Sequence, residues 1–133
     1  MNKLKEQLLI RASELRAQME DMSKMLITSG EKELPLQLME KADNLNVFLQ
    51  EGFYSTNKKS FEINMLSAVK EIDWLRNMIR HIEMNKGLSI TSFNNLYMEA
   101  EEIKEMIKKV RKNKYNTNTE NNFSNITQDS DEL

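Results

Sequence analysis

Two unbroken heptad stripes constrain this chain more than anything else in it. Phe61, Met65, Ala68, Ile72, Leu75, Ile79 and Ile82 form the first, and Phe93, Leu96, Ala100, Ile103, Ile107 and Val110 form the second. Their spacings alternate strictly between three and four, which lays each set along one face of a long helix. A helix with one apolar face gains most of its stability by burying that face against other helices. The pattern therefore predicts an all-α protein in which these two helices are neighbours.

The rest of the chain supplies two partners for them. A first helix is expected from about 3 to 28, with Leu4, Leu8, Ala12, Leu15, Met19, Met22 and Leu26 on its core face and Gly30 as a left-handed stop. Pro35 suits the first turn of a second helix, where its missing N–H leaves no bond unmade; Leu38, Ala42, Leu45 and Leu49 carry that helix to Gly52. Ser55, Thr56 and Asn57 are candidate N-caps for the third helix, which closes at Asn85-Lys86-Gly87. Ser89 should cap the fourth, with Leu88 and Phe93 as a hydrophobic staple, and that helix fades into Lys112-Asn113-Lys114. Four helices on short loops predict an elongated antiparallel up-down four-helix bundle over 1–114.

From Tyr115 the periodicity stops, and Asn, Thr, Ser and acids dominate. Burial of Phe123, Ile126 and Leu133 alone cannot offset the ordering entropy of such a segment, so 115–133 is expected to be a disordered polar, acidic tail. The charge divides at the same place. All 19 Lys and Arg fall in 1–114 against 17 acids, leaving that stretch at +2, while the last four acids lie in 115–133.

Composition removes several classes of function. The chain has no cysteine, so disulfides and thiolate metal sites are absent. The start, Met1-Asn2-Lys3-Leu4-Lys5-Glu6, lacks the apolar core of a secretory signal, and no apolar run approaches the length of a membrane span. A cytoplasmic protein without membrane contact is expected. A carboxylate-bridged di-iron bundle needs Glu-x-x-His pairs, and the single His81 has Met78 at that spacing. No Gly-rich phosphate loop is present, and one histidine leaves no hydrolase triad with a spare base. No metal, cofactor or catalytic set is expected.

Residues 34–110 resemble the four-helix-bundle family that includes the rRNA intervening-sequence proteins and Avd, the accessory protein of diversity-generating retroelements. The resemblance is carried by Glu51-Gly52, Lys58-Lys59-Ser60-Phe61, Leu66, Ala68, Glu71, Leu75, Leu88-Ser89, Glu101-Glu102-Ile103 and Met106-Ile107, in that order. It implies a bundle that closes into a barrel-like homopentamer without catalytic residues. For Avd it further implies binding to nucleic acid and to a reverse transcriptase. An apolar flank of Leu66, Val69, Trp74 and Met78 widens the stripe of the third helix beyond an ordinary arc, and with the resemblance it is the expected subunit interface.

Two motifs bear on chemistry. Lys58 and Lys59, with Lys104, Lys108, Arg111 and Lys112, are the candidate nucleic-acid contacts, each cation able to meet a phosphate and release a counterion. Cations also favour a helix C-terminus by opposing its dipole, which explains the second group without any ligand; Lys58 and Lys59 sit at the unfavourable end. Arg76-Asn77-(x3)-His81 resembles the signature of HEPN ribonucleases, in which Arg and His act at the scissile phosphate. Residues five apart on a straight helix diverge by some 140°, which argues against that use. Three readings thus stand side by side: a non-enzymatic oligomeric adaptor for nucleic acid or a reverse transcriptase, a HEPN-type ribonuclease, and a helical protein-interaction module without nucleic-acid contact.

Overall fold

The computed structural model describes residues 2–85 and 88–120. Four helices follow one another: α1 (Lys3–Thr28), α2 (Glu33–Tyr54), α3 (Lys58–Asn85) and α4 (Ile90–Glu120). Each end has a local cause. Asn2 caps α1 through its side-chain oxygen, which accepts from Lys5 N at 2.9 Å. At the other end Gly30 adopts φ +98°, Gly30 N donates to Ile27 O, and Glu31 N donates to Leu26 O at 2.9 Å, a Schellman closure that only an unhindered residue enters cheaply. Asn57 caps α3, its Oδ1 accepting from Ser60 N at 3.0 Å. Ser89 caps α4, its Oγ accepting from Ser92 N at 3.1 Å.

The bundle is antiparallel and closed. Pairs between α1 and α2 run Ala12 with Asn46, Arg16 with Asp43, and Ser23 with Pro35, so one number rises as the other falls. Between α3 and α4 the rungs are Glu62 with Arg111, Asp73 with Lys104, Arg76 with Glu101 and Arg80 with Tyr97. Each helix packs on its chain neighbours, and α1 also meets α4, whereas the backbones of the diagonal pairs stay farther apart among the described residues. This is up-down topology.

Both heptad stripes face inward. All seven residues of the α3 stripe are buried, as are Leu96, Ala100, Ile103, Ile107 and Val110 of α4, with Phe93 partly buried against them. Leu8 through Leu26 of α1 and Leu38, Ala42, Leu45 and Leu49 of α2 complete the core. Each fully buried large side chain contributes ~1.5–3 kcal/mol relative to exposure.

Two boundaries differ from expectation. Gly52 does not stop α2, which continues to Tyr54; the glycine is buried inside the last turn, against α3. The helix of α4 continues to Glu120, six residues past the expected fade at Lys114. The remainder of the expected tail, 121–133, lies outside the described residues.

Candidate nucleic-acid interface

The antiparallel register brings Lys58 and Lys59 to the same end of the bundle as Lys108, Arg111 and Lys112, while Lys104 sits mid-bundle beside Asp73, fifteen residues into α3. Lys58 and Lys59 open α3, one turn before Glu62, and Glu62 accepts from Arg111 Nη2 at 2.8 Å and Nε at 3.2 Å. Lys108, Lys109 and Lys112 therefore stand near Lys58 and Lys59, although some fifty positions separate them in the chain. The start of α1 reaches the same end, where the Lys5 ammonium lies 5.5 Å from the Phe53 ring centroid.

Ion pairing sorts these cations. Lys104 is held by Asp73 at 2.9 Å, Lys108 by Glu105 at 3.4 Å, and Arg111 by Glu62. Lys104 and Arg111 are half-buried between α3 and α4, so their first role is to join two helices. Lys58, Lys59, Lys109 and Lys112 are exposed, and Lys59, Lys109 and Lys112 form no ion pair among the described residues.

Two residues outside the expected set, Lys109 and Tyr54, join them. Tyr54 ends α2 with 73% of its surface exposed, beside Lys59 and Ile63 in an open groove of about 580 Å³. Glu51, Ser55, Asn57 and Asn64 complete much of its lining. A lone aromatic at a helix end carries no periodic signal; only the α2–α3 turn sets it beside Lys59.

The four apolar flank residues separate. Val69, Trp74 and Met78 are half-buried against this chain's own core, and the Lys41 ammonium of α2 lies 5.6 Å from the Trp74 ring centroid. Packing within the chain accounts for those three. Leu66 is 48% exposed.

Arg76 and His81 do not converge on a common point. The Arg76 guanidinium donates to Glu101 of α4 at 2.6 Å and lies 5.7 Å from the Tyr97 ring, and its Nε is buried without a hydrogen-bond partner. His81 is exposed and engages Asn85 of its own helix, Nδ1 to Nδ2, at 3.2 Å. Arg80 stacks on the same Tyr97 ring at 5.0 Å and donates to its hydroxyl at 2.7 Å.

At the α1–α4 seam, Arg11 donates to Glu99 at 2.7 and 3.0 Å and to Glu102. Its hydrogen bonds to Glu99 and then Glu102 raise the pKa of its guanidinium further, so it is a permanent cation. Arg16 is raised likewise, chiefly by its hydrogen bond to Asp43. Among the described residues no group of three or more His, Cys, Asp and Glu could hold a metal ion, and no helix is long and apolar enough to cross a membrane.

No protein-family model matches the chain, and no curated protein matches it in sequence. A solved structure does match in shape: a protein of unknown function from the S23 ribosomal protein family of Bacteroides thetaiotaomicron, with a TM-score of 0.77. The likeness covers 82% of this chain and 98% of that one at 12% sequence identity. That likeness shows the fold. It places another helical protein on the same architecture.

Proposed function

We propose that this chain is a non-enzymatic, self-associating helical adaptor that binds nucleic acid at its lysine-bearing end. The observation that carries the reading is the gathering of Lys58, Lys59, Lys109 and Lys112 at one end of the bundle, where Lys59 shares a groove with the exposed Tyr54. Lysines track a phosphate backbone, and an exposed aromatic face stacks bases with little regard to sequence. Lys104, Lys108 and Arg111, given their carboxylate partners, contribute less. A reverse transcriptase is the protein partner that the sequence resemblance suggests for such an adaptor. Self-association would use large apolar side chains that one chain leaves uncovered, such as Ile27 and Leu36, at the end of the molecule opposite the lysines. Repeating a weak patch around an assembly raises avidity without any new contact.

Titration of labelled single- and double-stranded oligonucleotides across salt concentration tests the binding. The expected result is sequence-tolerant, salt-steep affinity that favours single strands. Lys59→Glu or Lys112→Glu should each reduce the log–log salt slope by about one, and Tyr54→Ala should weaken binding with the slope unchanged. Absence of binding by the full chain at low salt would end the nucleic-acid reading and leave a protein-only adaptor.

A further inference from the structure

One stripe of α3 remains uncovered by the bundle and has an ordered chemistry. Lys59, Ile63, Leu66 and Lys70 follow at i, i+4, i+7 and i+11, all exposed, with Ile63 at 54%. The exposed Val47, Glu51 and Tyr54 run along the adjoining α2 at i, i+4 and i+7. The stripe therefore reads, from the lysine-bearing end inward, as a cation, then an apolar strip, then the cation Lys70. Neither Lys59 nor Lys70 has an ion-pair partner among the described residues.

The chain holds a segment with the matching order. Residues 121–133 read Phe123, then Ile126, then Asp129, Asp131 and Glu132, with no Lys or Arg. They follow directly from α4, which runs antiparallel to α3 and ends at the lysine-bearing end. Lys70 lies 11 residues into α3 from Lys59, a rise of about 17 Å. An extended chain spans at most ~3.3–3.6 Å per residue, so Ile126 can reach about 20 Å from Glu120 and Asp129 about 30 Å. Glu120 stands nine residues, about 13 Å, past the Arg111–Glu62 rung, so Ile126 spans back to Ile63, and a nearly extended chain brings Asp129, Asp131 or Glu132 to Lys70.

We propose that residues 121–133 dock on this chain's own α2–α3 face. Phe123 and Ile126 cover Tyr54, Ile63 and Leu66, and Asp129, Asp131 and Glu132 meet Lys70. The contact occupies Lys59 and Tyr54, so it would compete with any anionic ligand at that end. It is independent of whether the ligand is a nucleic acid, because the docking is measured on the protein alone.

The absence of cysteine allows a single nitroxide to be placed at Ser130→Cys in the full chain. The expected result is a ~2-fold or greater loss of amide signal at Tyr54, Ile63, Leu66 and Lys70 at 0.01 M salt, partly restored at 1 M, where the screening length falls from about 30 to about 3 Å. Lys70→Glu should remove the salt-dependent part, and Leu66→Ser should reduce the effect at both salt concentrations. Both positions are exposed, so each variant should keep the helical circular dichroism of the parent chain, which is measured alongside. Unchanged signals at 0.01 M, or losses spread evenly around the bundle, would overturn the proposal. So would equal losses in isotope-enriched chain that lacks the nitroxide when it is mixed with nitroxide-bearing chain, since the contact would then lie between copies.

Discussion

A methyl group added at position 52 fits only if Met65 and Asn64 of α3 give way. It would collide with the Met65 methyl and stand 3.1 Å from Asn64 Cβ, on a neighbouring helix that is itself packed into the core. The glycine is there for close approach of α2 to α3, and its φ is not in the left-handed range. Alanine would gain up to ~1 kcal/mol of helix propensity, but overpacking a filled site costs about 1–3 kcal/mol. Gly52→Ala is therefore expected to lower stability by about 1 kcal/mol and Gly52→Val by more, read from the urea midpoint of each variant. The residues that carried the family resemblance are largely of this kind. Glu71 approaches Lys41 at 3.7 Å, Glu101 holds Arg76 and Glu102 holds Arg11, so these members of the phrase record how helices are clamped. Arg76 and His81 belong to the same scale. With Arg76 bound to Glu101 and His81 to Asn85, purified protein is expected not to cleave RNA; metal-independent cleavage lost in both Arg76→Ala and His81→Ala would reverse that assignment.

At the scale of elements, the four helices were legible because burial has a period. Every interior position named from the 3-4 spacing in α3 is buried, and the expected first helix coincides with α1. The ends were less legible where a residue serves two purposes. Gly52 reads as a helix stop in sequence, yet it serves packing three residues before Ser55. The candidate binding residues divide for a related reason. A run of cations on α4 looks uniform until α3 supplies Asp73 and Glu62 across the seam, from residues 31 and 49 positions away. The Arg111–Glu62 rung pins the α4 turn nearest the lysine-bearing end. Glu62→Gln should lower hydrogen-exchange protection in the last turns of α4 by up to ~1 kcal/mol while tightening oligonucleotide binding, because Arg111 loses its counter-charge. Looser α4 with unchanged oligonucleotide affinity would show that Arg111 serves the bundle alone.

At the scale of the whole molecule, assembly is the open quantity that the proposed function needs. Sedimentation equilibrium is expected to give a species heavier than the 15.7 kDa chain at micromolar concentration, and Leu36→Glu to return it to a monomer with helical content intact. A wild-type monomer would remove self-association; an unaffected Leu36→Glu assembly would move the interface elsewhere. Trp74 belongs to a different test, since it packs within its own chain beside Lys41. Trp74→Ala should destabilise the fold by about 2 kcal/mol, less than a fully buried tryptophan would cost. What the sequence determined by itself was the helical content, the inward faces and the up-down order, because periodicity, capping and short loops are local properties. What the tertiary structure alone decided was which charges are spent on other charges and which surfaces stay open. Those outcomes depend on residues distant in the chain meeting across antiparallel seams, and the spacing along any one helix does not encode them.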